Sequence, residues 1–138
     1  MNRFLSVQNS FFLAIILLGF SCQKEKTDNQ STNSLIGNWN WIRTVHQSDS
    51  TIDSASATVH QELRIDGVKN YLWLKNDTTL YTGNYTMQLE TSQVYQQPKM
   101  MLNLYSFPNR LLVQQKSDTL WLEEDVAFGK IYQFLKKH

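Results

Sequence analysis

Few side chains in this sequence have the types and spacing needed for metal or acid–base chemistry. His46 and His60 lie on separate segments, and the acids Asp49, Asp53 and Glu62 are near them in the chain. Histidine and carboxylate groups are common metal ligands and general acids or bases. Here His60 and Glu62 alternate with apolar residues, which places them on the polar, solvated face of a predicted strand. We therefore predict no metal, no cofactor and no enzymatic activity.

The acidic run Glu123-Glu124-Asp125 is the other candidate for binding a cation. Calcium takes about six to eight oxygen ligands, and one short run supplies few of them. The sequence therefore predicts a solvated loop at this position. It also has no Gly-rich phosphate loop, no His-Glu-x-x-His and no Gly-x-Ser-x-Gly, the patterns of nucleotide binding, zinc hydrolysis and serine hydrolysis.

Composition limits the classes of protein that fit. The chain has 138 residues, of which 41% are apolar, with 13 Lys and Arg against 12 Asp and Glu. That length and composition indicate one small folded domain. The balanced charge gives no basic field for phosphates, so no nucleic-acid partner is expected. The single cysteine, Cys22, excludes an internal disulfide and any multi-cysteine metal site.

The first residues have the pattern of a secretory signal. Arg3 is followed by an apolar run, Phe11–Leu18, and then by Gly19-Phe20-Ser21 before Cys22. The run is shorter than the ~20 apolar residues that cross a bilayer. Residues 1–21 are therefore predicted to be a signal peptide, and a soluble exported protein is the alternative to a lipid-anchored one.

The end of this segment resembles the lipobox of bacterial lipoproteins, although Gly19 stands where Leu is usual. The resemblance implies that Cys22 carries acyl chains such as palmitate and anchors the mature protein to a membrane of the cell envelope. The absence of Asp after Cys22 favours the outer membrane, with the domain facing the periplasm or the exterior. The rest of residues 22–34 is entirely polar and predicts a flexible tether.

From Leu35 to His138 the chain is predicted to be all-β. Apolar and polar residues alternate most clearly at Thr58–Ile65 and Gly83–Leu89. The other predicted strands are Ile36–Thr44, Asn70–Leu74, Thr79–Tyr81, Lys99–Ser106, Arg110–Gln115, Thr119–Glu123 and Lys130–Lys136. Ser48–Ala57 is predicted to be a loop or a single helical turn. About eight short sequential strands favour an antiparallel up-and-down barrel, which leaves no exposed edges, and a sandwich is the alternative.

Three short motifs resemble the lipocalin and lipocalin-like (calycin) families. They are Gly37-x-Trp39, the Gly83-x-Tyr85 that follows Asn70–Leu74, and a closing pair of segments at residues 119–122 and 129–134. The chain is most similar to the short lipocalin-like lipoproteins of Gram-negative bacteria. The resemblance implies that Trp39 closes the narrow end of the barrel under a basic side chain of the last strand, Lys136 or Lys137.

Two functions fit a barrel that is either filled by side chains or open to one small ligand. The first is a membrane-tethered protein that binds a small apolar or amphipathic ligand without catalysis. The residues expected to line its pocket are Tyr71, Trp73, Tyr85, Met87, Leu102 and Leu104. An internal cavity would favour this function.

The alternative is a protein-interaction or inhibitor module for a secreted or periplasmic partner. Small β-barrel lipoproteins of similar size block hydrolases such as lysozyme. The loops expected to carry this role are Gln47–Ala57, Ser92–Pro98 and Glu123–Phe128, with Tyr95 and Phe107 as rings at a loop rim. A filled barrel with one ordered, protruding loop would favour this alternative.

Overall fold

The computed structural model describes residues 32–138, so the predicted signal peptide, Cys22 and most of the tether lie outside the described residues. A one-turn helix, α1, spans Thr32–Leu35. Nine strands follow it: β1 Gly37–His46, β2 Ile52–Ser54, β3 Gln61–Ile65, β4 Asn70–Lys75, β5 Thr78–Thr91, β6 Pro98–Leu104, β7 Leu111–Lys116, β8 Thr119–Glu124 and β9 Lys130–Lys136. Within residues 32–138 no helix has the length and apolar character needed to cross a membrane.

Eight of these strands form a closed antiparallel barrel. From β3 to β9 each strand pairs with the next, and β1 pairs with β3 on one side and with β9 on the other. Closure follows because the last strand returns to the first along Trp39–His46. The predicted all-β barrel is confirmed, and the sandwich is excluded.

The remaining strand, β2, shows that the prediction for Ser48–Ala57 was wrong. Ile52, Asp53 and Ser54 pair with Val45, Thr44 and Arg43 of β1 and extend the sheet beside the start of β3. All three β2 residues are exposed, so no alternation of apolar and polar residues marks the strand in the sequence. Backbone pairing with β1 defines it.

Trp39 closes the end of the barrel at which β1 begins. The indole is fully buried, and its Nε1 donates to the carbonyl of Leu35 in α1 at 2.8 Å. The Lys136 ammonium lies 5.4 Å from the centre of the Trp39 ring. Gly37 makes room for this side chain: it has φ 142°, and an added Cβ would come within 3.3 Å of Lys136 Cε. The basic residue over the tryptophan is thus Lys136 and not Lys137.

The interior is filled by aromatic rings. Phe107, from the connection between β6 and β7, stacks on Trp73 at 5.4 Å between ring centres and 5° between planes. Tyr81, Tyr132 and Phe134 meet Trp73 edge-on at 5.1–6.0 Å. Phe107 is therefore part of the core, and the expectation that it forms a loop rim was wrong. Such a stack occupies the space in which a barrel would hold a ligand.

Strand β5 is long because each of its halves pairs with a different neighbouring strand. Residues 78–84 pair with β4, and residues 85–91 pair with β6. In turn, β6 pairs with β7 only at Met101 and Leu102. Among the described residues, residues 86–91 consequently pair only with residues 98–103 of β6, and residues 98–100 pair only with residues 89–91. We call this two-stranded extension the ribbon.

Candidate functional site

The residues expected to line a ligand pocket lie in the core or pack against it, and three of them also line openings. Tyr71, Trp73, Tyr85, Leu102 and Leu104 are buried members of the core cluster, and Met87 packs against it. Among residues 32–138 the two best-formed pockets lie at the surface, with volumes of about 260 and 290 Å³. Small-molecule sites usually enclose ~300–1,000 Å³. Trp73, Leu102 and Leu104 line neither pocket.

The larger opening lies between the hairpin that joins β3 to β4 and the beginning of the ribbon. It is lined by Ile36, Gly67, Lys69, Tyr85, Thr86, Met87 and Gln88. Two of the six expected ligand residues, Tyr85 and Met87, therefore share a pocket. Tyr71 lines the other, more polar pocket with Arg64 and Asp66.

The three loops expected to contact a protein partner converge on Glu123 at the outer side of the barrel. One carboxylate oxygen, Oε1, accepts a hydrogen bond from Gln47 Nε2 at 3.2 Å and another from Tyr95 Oη at 2.8 Å. Gln47 follows β1, Tyr95 lies at the tip of the ribbon, and Glu123 ends β8. The three loops that contain Gln47, Tyr95 and Glu123 thus form one surface, which we call the loop face.

A buried carboxylate, Asp125, fastens the ribbon tip to this face. The side chain is fully enclosed and accepts hydrogen bonds from Ser92 Oγ at 2.6 Å and from the backbone N–H groups of Gln93 and Val94 at 2.9–3.2 Å. Arg110 Nη2 donates to Asp125 Oδ2 at 2.5 Å, while Nη1 of the same guanidinium reaches Glu90 at 2.7 Å. The ribbon is therefore held at both its side and its tip.

These contacts decide the ionisation of Asp125. Desolvation is the largest single influence and would raise the pKa of this carboxyl. The hydrogen bonds from Ser92, Gln93 and Val94 and the Arg110 charge together outweigh it and lower the pKa. Asp125 is therefore a carboxylate at neutral pH.

The neighbouring Glu124 is buried as well. It accepts Tyr132 Oη at 2.7 Å and the Lys130 backbone N–H at 3.1 Å. Desolvation, followed by this contact with Glu124, raises the pKa of Tyr132, so the phenol stays protonated as the donor. The prediction of a solvated acidic loop was wrong, because two of its three acids, Glu124 and Asp125, are buried and accept hydrogen bonds through both carboxylate oxygens.

The connection from β8 to β9 is compact and displays one ring. Val126 N–H donates to Glu124 O at 2.8 Å, and Gly129 N–H donates to Val126 O at 3.1 Å. Between them Phe128 adopts φ 58°, an unusual conformation for a bulky residue, and its ring is 75% exposed. A hydrogen-bonded turn thus exposes a large apolar side chain to solvent.

Gly129 sets the geometry of this turn, and its replacement gives a first test. An added Cβ would come within 2.8 Å of Glu124 Cβ and 2.9 Å of Glu124 O. We expect Gly129→Ala to lower the free energy of unfolding by about 1–3 kcal/mol, because packed backbone must shift. Urea denaturation measures this loss.

The matched control for that variant is Gly67→Ala, where the added Cβ would lie 3.6 Å from Ile36 Cδ1, an ordinary van der Waals contact. We expect the control to change stability by less than about 0.5 kcal/mol. Equal effects of the two variants would contradict the crowding at Gly129.

The histidines do not assemble a site. His46 Nε2 lies 2.8 Å from Asp53 Oδ2 and joins β1 to β2, whereas His60 Nε2 lies 3.5 Å from Asp77 Oδ1 in another part of the barrel. Over residues 32–138 no group of three or more His, Cys, Asp and Glu side chains is arranged to hold a metal ion.

The chain matches no protein-family model, no curated protein and no solved structure. The loop face must therefore be interpreted from its own geometry. Sequence reasoning placed its three loops but missed Asp125 and Arg110 as the groups that connect them. The available signal was an acid directly after a strand, which is typical of loops in general and does not identify a partner 32 residues away.

Proposed function

We propose that this protein is a β-barrel interaction module that recognises a protein partner through the loop face, with Phe128 as its aromatic anchor. The observation that supports this proposal is the 75% exposure of Phe128 on a turn fixed by buried Asp125, Glu124 and Gly129. Buried aromatic anchors contribute much of the binding energy in protein interfaces. Because backbone hydrogen bonds hold the turn that carries this ring, little backbone entropy is lost on binding.

Two residues of the ribbon tip suit the same role. Val94 and Tyr95 of the ribbon tip are also exposed, although the backbone that carries them is bonded to Asp125 and to Ser92. Apolar and amphipathic side chains on an ordered backbone are typical of the centre of an interface. The aromatic stack around Trp73 supports the same proposal, because its rings occupy the interior of the barrel.

The test compares two exposed rings on different loops. Phe128→Ala removes the proposed anchor, and Tyr105→Ala removes a ring of similar exposure, 74%, from the connection between β6 and β7. A partner isolated from the native cell envelope with the wild-type chain is titrated against both variants. We expect Phe128→Ala to weaken binding about 30-fold, since an anchor residue is worth ~2 kcal/mol or more.

The control variant Tyr105→Ala should bind within about threefold of the wild-type chain, as most interface-distant substitutions do. Equal losses for both variants, or none for either, would contradict the loop face as the binding surface.

A carrier of a small amphipathic molecule is the second candidate, and the opening of about 290 Å³ at Tyr85 and Met87 favours it. Native mass spectrometry of the chain separates the two proposals. A bound small molecule that is lost on Met87→Trp, which fills the opening, would support the carrier and oppose the loop face.

The location and family of the protein rest on the sequence. We propose that Cys22 is acylated and holds the barrel at the cell envelope, and that the chain is lipocalin-like. The closed barrel, together with Trp39 under Lys136, supports the family proposal. Loss of membrane retention in Cys22→Ala would support the anchor, and unchanged retention would contradict it.

A further inference from the structure

One edge of the ribbon has no partner in the described residues. Strand β4 pairs with β5 only as far as Asn84, so residues 86–91 pair with β6 on one side and with no strand of the described residues on the other. Ile36, Gly67 and Lys69 lie across an opening from residues 85–88. Leu89, in the middle of this stretch, is 58% exposed. Unpaired strand edges are sites at which another strand can add.

The register determines which backbone groups face this edge. Tyr105 N–H donates to Asn84 O, and Ser92 N–H donates to Gln97 O. The backbone N–H and C=O groups of the even-numbered residues in this stretch therefore point toward β6. Tyr85 N–H points the other way, to Lys69 O at 2.9 Å. Because the direction alternates along a strand, Met87, Leu89 and Thr91 present their N–H and C=O groups to the free edge.

The two edges of the ribbon differ in chemistry. The β6 edge has Pro98, which lacks an N–H, and Lys99, whose charge opposes strand addition. The β5 edge, Met87 to Thr91, contains neither Pro nor Lys. Only the β5 edge therefore retains the features that permit pairing.

We propose that this edge pairs with the same edge of a second copy of the chain, antiparallel and with a two-fold axis at Leu89. In that register Leu89 faces Leu89 of the second copy, Met87 faces Thr91, and Gln88 faces Glu90. No like charges stand opposite each other, and a glutamine amide meets each carboxylate, as Gln88 Nε2 and Glu90 Oε1 already do within one copy at 2.7 Å.

The proposed pairing forms six backbone hydrogen bonds, two at Leu89 and four between Met87 and Thr91 of the two copies. The contact is small compared with the ~1,200–2,000 Å² of stable interfaces, so the dimer is weak and depends on concentration. Anchoring both copies to one membrane would raise their local concentration and favour it.

Cysteine cross-linking tests the register in the full chain carrying Cys22→Ser. Directly opposed residues of a hydrogen-bonded pair have Cα atoms ~5.5 Å apart, which suits a disulfide. Thr91 of one copy lies four residues, about 14 Å, from Thr91 of the other, too far for a disulfide. We expect Leu89→Cys to give at least tenfold more disulfide dimer than Thr91→Cys.

Leu135→Cys is the matched control, because Leu135 is also exposed, 46%, but lies on β9, which is paired on both sides. Equal dimer yields from Leu89→Cys and either of the other variants would overturn the proposal.

Hydrogen exchange in the otherwise unchanged chain provides a second test that needs no substitution at the edge. The amides of Met87, Leu89 and Thr91 should exchange at least tenfold more slowly at high than at low protein concentration. The amides of Gln88 and Glu90, which point toward β6, should not respond. Protection that is independent of concentration would mean that another segment covers the edge, and would overturn the proposal.

Discussion

Trp73→Ala is expected to lower the free energy of unfolding by about 3–5 kcal/mol, the usual loss for removing a large buried ring. Trp73 is 1% exposed and contacts Phe107, Tyr81, Tyr132 and Phe134. Its Nε1 also donates to Gln61 Oε1 at 2.9 Å, so the substitution removes a hydrogen bond as well as the stack. Urea denaturation followed by circular dichroism measures the loss.

Trp121→Ala is the control for ring removal, because Trp121 lies between Leu120 and Leu122 on β8 and points outward, only half-buried. We expect Trp121→Ala to lower the free energy of unfolding by less than half as much as Trp73→Ala does. Trp73→Ala should also open an apolar cavity that takes up benzene or xenon, whereas the wild-type chain should not. Binding of such a probe by the wild-type chain would contradict the filled interior.

Asp125→Asn is expected to destabilise the protein by about 3 kcal/mol, because it leaves the Arg110 guanidinium without one of its two carboxylates and removes a fully buried charge partner. The amide also turns donors toward the N–H groups of Gln93 and Val94. Amide exchange at those two positions should accelerate, which would show that the ribbon tip has been released.

The pH dependence of this loss has a definite sign. The pKa of Asp125 in the folded state lies below its unfolded value of ~3.9. The carboxylate therefore contributes its full stabilisation of the fold above pH ~3.9, and this stabilisation disappears as the pH falls through the folded pKa. The difference in stability between wild type and Asp125→Asn should therefore be constant near neutral pH and shrink below about pH 4.

Asp118→Asn is the matched control, since its side chain is half exposed and forms an ion pair with the exposed His138 at 3.4 Å. We expect a change of less than about 0.5 kcal/mol at every pH. A constant difference between wild type and Asp125→Asn across the acid range would contradict the ionised, hydrogen-bonded state of Asp125.

The strands were predictable because their apolar residues alternate. In β3, Leu63 and Ile65 are buried and Arg64 is exposed, as the pattern around Thr58–Ile65 requires. Tyr85 and Met87 likewise face the core. Strand β2 has no such pattern, because both of its faces are in solvent, and its existence depends on the backbone of β1.

The candidate site was predictable only in part. Loop positions follow from the breaks between strands, but the partners of a buried acid do not, because Asp125 meets residues 31–33 positions earlier in the chain. Whether rings fill a barrel or line a pocket also depends on their mutual packing. Phe107 decides this by stacking on Trp73, and nothing in its local sequence distinguishes it from a ring on a rim.

The pairing of β1 with β9 has a consequence for how the chain reaches its native state. Trp39 lies near the start of the domain, and Lys136, which covers it, is the third residue from the end. Contacts between such distant residues make folding slow, in the range of milliseconds to seconds. The barrel cannot close during synthesis until its final strand is available, and until then β1 and β8 each present an open edge to other chains. Burial of Trp39 therefore coincides with completion of the barrel, and its fluorescence should follow the last step of folding.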